Sequence, residues 1–433
     1  MFKLRVVTLA VVIVVRIMSV PLVNADTIQA PTCSRVDVQA TIDAAVSGDT
    51  VIIPAGSATW TSGVSIPNSK NIALIGAGSN VTVIISGMSS SQLLQMNFST
   101  SRVSGIQFVL TGSGEFAISV RGQNWRIDNC RFGNTTGNRK MAIFANGSST
   151  SDHPVGVIDH CVFEPDIRVY VHGDQGLLAH REWAKPLGLG TNNAVFIEDC
   201  VFNRTQGGNT IDSHFGGRYV FRYNTVSGSY PEMHSVAENA RATRSWEVYE
   251  NTFDGGTVHP WTMGYVRGGT GVYFNNTYTG TWEVYGIAMD NRRSWENVSY
   301  PPGVADGTSP WDGNTAPTET YKGWPARDQI GRGSDEWLWT DANPYPPQAS
   351  DPAYFWNNKH GDNDVVPYLA NTAGDSRVAM HIQEGRDYFV GIPRPGYTPY
   401  TYPHPLIEDW EAFGPGGGEI STPAAPSGLR VQN

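Results

Sequence analysis

The chain has 433 residues, a formal net charge of −10, 47 glycines, 27 prolines and 11% aromatic residues. A net negative protein is a poor partner for nucleic acid or an anionic membrane surface. So much glycine, proline and aromatic residue speaks for turns and strands over helices.

At the N-terminus, Lys3 and Arg5 precede the apolar run "VVTLAVVIVV", and "VNA" offers a small-residue cleavage site after Ala25. This is the pattern of a secretory signal peptide over residues 1–25, so a secreted, extracellular protein is expected. No later segment reaches the roughly 20 apolar residues that a membrane span requires. Next comes "SRVDVQATIDAAVSGDTV", where Val38, Ile42 and Ala45 come after the N-cap candidate Ser34 at helical spacing. A short amphipathic helix is predicted there, covering the open end of the domain.

The body of the chain is a repeat. "WRIDNCRF", "GVIDHCVF", "VFIEDCVF", "YVFRYNTV", "WEVYENTF", "GVYFNNTY" and "AYFWNNKH" align on Cys130, Cys161, Cys200, Asn224, Asn251, Asn276 and Asn358. The spacing runs from 24 residues (Cys200 to Asn224) to 82 (Asn276 to Asn358). A fixed motif at variable spacing is the mark of a coil whose turns carry loops of different length, and such turns must stack to bury their apolar faces. Stacked in register about 4.8 Å apart, the asparagines are expected to form a hydrogen-bonded ladder and the three cysteines to pack as small buried thiols. The predicted fold is an all-β, right-handed, single-stranded parallel β-helix over residues 26–413, with a short N-terminal capping helix and long loop insertions, acting as a monomer. Residues 414–433 read as a Gly/Pro-rich linker and the opening of a fibronectin type III-like module.

On these segments the chain resembles the pectate-lyase-like superfamily of secreted β-helix proteins, from Ser34 to about Tyr402. The resemblance implies carbohydrate-active relatives, among them polysaccharide lyases and hydrolases, but also tailspikes and adhesins. "GWPARDQIGRG" and "EGRDYFVGIPRPGYTPYTYPHPL" are similar to segments in a group of exported bacterial proteins. In the lyases of this superfamily the strand that comes first in each turn lines the binding groove.

Aligned on their closing glycines, those strands read "FAISVRG", "MAIFANG", "IRVYVHG", "TIDSHFG" and "WTMGYVRG". Alternation turns Ile118, Val120, Ile143, Ala145, Val169 and Val171 inward. It leaves Arg121, Asn146, His172, His214 and Arg267 in one outward column, and Ser119, Phe144, Tyr170, Asp212 and Tyr265 in another. Tyr170, His172, Asp212 and His214 therefore cluster, and "PEMHSVAENARATR" adds His234, Glu238, Arg241 and Arg244. The facing of His234 depends on a register that one residue would reverse.

This set suits β-elimination on an acidic, uronic acid-containing polysaccharide, which needs a cation at the substrate carboxylate, a base and an acid. Arg241, Arg244 or Arg222 would grip the carboxylate, His214 or His234 and Tyr170 would move protons, and Arg267, Glu238 and a stacking Trp183 would bind substrate. Two other readings stay open: a glycoside hydrolase built on a pair such as Asp212 with Glu238, and a non-catalytic carbohydrate-binding or adhesive protein. Calcium is the one cofactor considered, through His172, Asp174, Asp212 and His214 or through the acidic column Asp128, Asp159 and Glu198. A solvated acidic stripe is the simpler explanation of that column. The loop from Thr277 to Asn357 holds Trp282, Trp295, Trp311, Trp324, Trp337 and Trp339, offered either as sugar-stacking rings or as loop packing. No G-x-S-x-G, P-loop or H-E-x-x-H sequence occurs.

Overall fold

The computed structural model describes residues 25–97, 100–112, 114–135, 140–147, 153–173, 183, 186–235, 241–290, 328–334, 348–370 and 381–408. The leader, the linker and Glu238 lie outside them, as do Asp174 and the tryptophans at 295, 311, 324, 337 and 339.

The helix forms over Arg35–Ala44, with the Asp37 amide donating to the Ser34 hydroxyl at 3.2 Å. Val38 and Ile42 are fully buried against the first turns of the coil. Beyond it the chain winds through three parallel sheets, here called the wall sheet, the strap sheet and the third sheet, of 10, 12 and 11 strands among the described residues. Each turn adds one strand to each. The central turn is Asn209–His214 in the wall sheet, Arg218–Arg222 in the strap sheet and Thr225–Ser227 in the third. The pairing is parallel from turn to turn, and the winding is that of a right-handed parallel β-helix.

A sharp bend joins strap sheet to third sheet. It is made by one left-handed residue immediately before each member of the Cys/Asn column: Asn129, His160, Asp199, Tyr223, Glu250, Asn275 and Asn357 have φ between 51° and 56°. Most are Asn or Asp, the side chains that tolerate this region best. His160 is such a bend residue, its Nδ1 2.9 Å from Asp159.

The column itself is buried. The Cys200 amide donates to Asn224 Oδ1 at 3.0 Å, Asn224 donates to Asn251 Oδ1 at 3.0 Å, Asn251 to Asn276 Oδ1 at 2.9 Å and Asn276 to Asn358 Oδ1 at 2.8 Å. Cys130, Cys161 and Cys200 are buried free thiols. Inside the coil Phe108, Phe132, Phe163 and Phe202 stack face to face, with centroids 5.7, 4.9 and 4.4 Å apart.

The outer face of the strap sheet is covered, which corrects two expectations. Asp128, Asp159 and Glu198 are not a solvated stripe, since all three are fully buried. Arg102 pairs with Asp128 at 2.6 Å, Arg126 with Asp159 at 2.8 Å and Arg222 with Glu198 at 2.6 Å. Over them lies the segment from Tyr397 to Ile407. Arg222 donates to the carbonyls of Tyr400 (2.7 Å) and Thr401 (2.9 Å), the His404 amide donates to Glu198 (2.9 Å), and Arg126 donates to the Ile407 carbonyl (3.1 Å). Tyr402 donates to Asp199, and Tyr397 to Glu247. Arg222 points outward as its alternation requires, but this strap buries it on a sheet away from the wall, so it holds structure and not substrate.

Candidate functional site

In the wall sheet, Tyr170 faces Asp212 and His172 faces His214 across neighbouring strands. Between the turns of Asp212 and Tyr265 the structure inserts a strand that the glycine alignment missed, Tyr230–Met233. Asp212 then faces Glu232, and Glu232 faces Tyr265. The His234 amide donates to the Ser213 carbonyl at 3.0 Å, the Arg267 amide to Met233 at 2.9 Å and the Asp290 amide to Val266 at 3.0 Å. These bonds settle the register: His234 continues the His172–His214 column. Val169, Val171, Ile211, Ser213, Met233 and Val266 point inward and are buried. The outward face is a grid two residues wide: Tyr170 and His172, Asp212 and His214, Glu232 and His234, Tyr265 and Arg267.

One column of the grid is a pair of carboxylates held between cations. Arg267 pairs with Glu232, whose other oxygen accepts from Asn209 Nδ2 at 2.7 Å. Arg168 Nη1 lies 3.0 Å from Asn209 Oδ1 and 3.5 Å from Asp212 Oδ2, with its guanidinium 4.5 Å from the Tyr170 ring centroid. Burial and the Glu232 charge push the Asp212 carboxyl up to about 6, against the pull of Arg168 and Arg267. Burial and the Asp212 charge also raise the Tyr170 hydroxyl, which therefore remains a proton donor at neutral pH.

The other column is a file of imidazoles. His214 and His234 have ring centroids 4.3 Å apart, and His172 lies 6.0 Å from His214. His172 is packed against Phe144, Tyr170 and Phe215, and burial pushes it down to about 3. It is the neutral inner end of the file. His214 and His234 are only partly buried, so they are the members of the file that a ligand on the wall could reach.

Four expected substrate contacts are corrected. Arg241 lies in the site region, but its guanidinium is fully buried against Asp328 in a two-pronged pair, with Nε 2.7 Å from Oδ2. Asp328 also accepts from the Ala242 amide at 2.9 Å. Arg244 is buried 5.3 Å over the Trp183 ring, where burial and the nearby Arg218 and Arg241 charges bring it down to about 9. Trp183 offers no ring to a sugar: it is wholly buried, donates Nε1 to the Ala242 carbonyl at 3.0 Å and packs under Arg241 at 4.7 Å. Arg267 is on the grid but its charge is committed to Glu232. Trp282 likewise packs inward, edge-on against Tyr278. Among the described residues no group of three or more His, Cys, Asp or Glu side chains is placed to hold a metal ion, and no helix is long and apolar enough to cross a membrane.

Glu232, Arg168 and Asn209 are the residues of the candidate site that sequence reasoning missed. The signal for Glu232 was present, because "YPEMHS" alternates as a wall strand should, with Glu232 and His234 on one side and Met233 on the other. Pro231 and the short strand hid it.

No protein-family model and no curated protein matches the chain. Among solved structures it is similar to an alginate lyase from Paenibacillus sp. str. FPU-7, with 12% identity over 79% of this chain and 99% of that one and a TM-score of 0.42. It is also similar to a PL6 family polysaccharide lyase from Pseudopedobacter saltans, with 12% identity over 88% and 89% of the two chains and a TM-score of 0.48. A third is a mannuronic acid specific family 6 lyase from human gut microbiota, with 13% identity over 90% and 94% and a TM-score of 0.39. The β-helix itself is read from this chain's own strand pairing.

Proposed function

We propose that the protein is a secreted carbohydrate-active enzyme that cleaves a uronic acid-containing polysaccharide by β-elimination at the wall grid. The observation that carries this reading is one partly exposed face holding a cation, a proton donor and an imidazole pair: Arg168, Tyr170, and His214 with His234. Arg168 keeps 19% of its side chain exposed, whereas Arg241, Arg244 and Arg267 are buried and engaged. Its planar fork suits the substrate carboxylate. His214 or His234 takes the proton from the carbon beside that carboxylate, and the C–H electrons form the new C=C bond. The glycosidic C–O electrons leave on oxygen, which Tyr170 or Asp212 protonates. With its carboxyl raised to about 6, Asp212 holds its proton, and so carries no charge against an anionic substrate, mainly below that pH.

Hydrolysis is the second reading, favoured by the Asp212–Glu232 pair. Facing residues on adjacent turns sit about 4.8 Å apart, near the roughly 5–5.5 Å of carboxyl pairs in retaining glycosidases. One experiment separates the two. Purified protein is incubated with pectate, alginate and glycosaminoglycan chains while ultraviolet absorbance and reducing ends are measured. Unsaturated, absorbing products establish elimination, and reducing ends without absorbance establish hydrolysis. If neither appears on any of these polymers, cleavage as a function is abandoned.

A further inference from the structure

The outward column that carries Asp212 and Glu232 does not stop at Tyr265. Tyr265 faces Ala288, and Ala288 faces Tyr368 on the next turn. A small residue thus sits between two aromatic rings, three turns being spanned from Glu232 to Tyr368. Trp261 stands beside this step, edge-on to Tyr265 with centroids 4.9 Å apart and planes at 87°. Its main chain is held, the carbonyl accepting from the Val284 amide at 3.0 Å and the preceding Pro260 carbonyl from Glu283 at 3.0 Å, and its ring also stands edge-on to Tyr230 at 6.5 Å. Trp261 and Tyr368 are partly exposed, and Tyr285 nearby has 55% of its surface in solvent. Polar groups lie alongside, with Tyr265 donating to Asp290 at 3.1 Å and the Tyr368 hydroxyl 3.5 Å from Thr262.

We infer that Trp261 and Tyr368 form a sugar-binding subsite that receives a pyranose unit of the same polysaccharide, a few units along from the bond that is cut. Rigid aromatic faces match a sugar ring, which presents C–H groups on its faces, and the hydroxyl of the partly exposed Tyr368 can meet the hydroxyls on its edge. The in-register continuity with the grid sets the direction: the polymer runs along the coil axis, with successive units on successive turns. Because the rings are already held in place, little side-chain freedom is lost on binding. The inference rests on the reading of the grid as a polysaccharide-cleaving site.

The test measures retention of the folded full-length protein in gels containing pectate or alginate, which requires no turnover. Trp261→Ala and Tyr368→Ala are each expected to weaken retention roughly tenfold and to raise KM on polymer with kcat little changed. Asp212→Asn is expected to keep retention while losing turnover. Trp261→Phe, which preserves a ring, should recover part of the affinity and guards against a folding defect in the alanine variant. Unchanged retention in folded Trp261→Ala or Tyr368→Ala overturns the subsite, as does a wild-type protein that neither gel retards. Should the wild type be retained and Trp261→Ala not, while no polymer is cleaved, the subsite stands and the cleavage reading falls.

Discussion

Asp212 and Glu232 face each other across adjacent turns of the wall sheet, Glu232 paired with Arg267 and Asp212 3.5 Å from Arg168. Burial and the Glu232 charge raise the Asp212 carboxyl to about 6, so Asp212 exchanges a proton near neutral pH. Glu232→Gln removes the like charge that helps raise Asp212, so the Asp212 carboxyl should fall from about 6 toward the ordinary carboxylate range. The pH–rate profile for polymer cleavage should shift to lower pH in that variant. An unmoved profile would show that Glu232 does not set Asp212.

Asp212→Asn should lower kcat/KM by about 10²–10⁴-fold, the usual contribution of a positioned proton-transfer group. His234→Ala should fall in the same range, whereas His172→Ala, at the buried end of the file, should act mainly through stability. Turnover on polymer beside thermal melting distinguishes the two kinds of loss.

Asp212 also makes stability depend on pH. Its folded-state pKa of about 6 lies above the reference value of 3.8, so the folded state holds the proton more tightly. Stability therefore declines as pH rises from about 4 through 6, by at most about 3 kcal/mol for a shift of about two units, less to the extent that water reaches the side chain. Denaturant titrations from pH 4 to 8 should show a smaller decline in Asp212→Asn than in the wild type.

Arg241 and Asp328 are expected to be structural. Breaking a buried pair by removing one partner costs about 3–5 kcal/mol, so Arg241→Ala should unfold at markedly lower denaturant concentration. Below its melting temperature it should retain most of its turnover. A folded Arg241→Ala with turnover lost and stability intact would return Arg241 to the reacting groups.

Asn251 donates to Asn276 and to the Phe221 carbonyl at 2.8 Å, and accepts from Asn224. Asn251→Ala strands several buried partners at once, each worth about 1–3 kcal/mol. A loss of at least about 2 kcal/mol in chemical denaturation is expected.

The sequence carried the coil because its rule is local: a residue three places before each Asn or Cys fills the core, and the repeat exposes it. Tyr170, His172, Asp212 and His214 were legible for the same reason, since alternation within a strand fixes which side chains face out. Whether an outward residue meets solvent is decided elsewhere in the chain. The partner that seals Arg241 lies 87 residues away and the carbonyl that receives Arg222 lies 178 residues away; no periodicity reports such contacts. The two segments that resemble other exported proteins prove to supply these seals. Asp328 belongs to the first and Tyr400 to the second, and the two meet where Arg332 Nη2 lies 2.7 Å from Asp387.

In a stacked coil each turn touches only its neighbours, so unfolding can begin at either end and fray inward one turn at a time. The strap from Tyr397 to Ile407 changes that topology. It is bonded to Arg126, Glu198, Arg222 and Glu247, residues that belong to separate turns in the middle of the stack. Those turns share a common tie along their length, so that none of them can peel away without releasing contacts on the others. The wall grid sits on the same turns, and its geometry is thereby tied to one cooperative melting unit instead of to a fraying end.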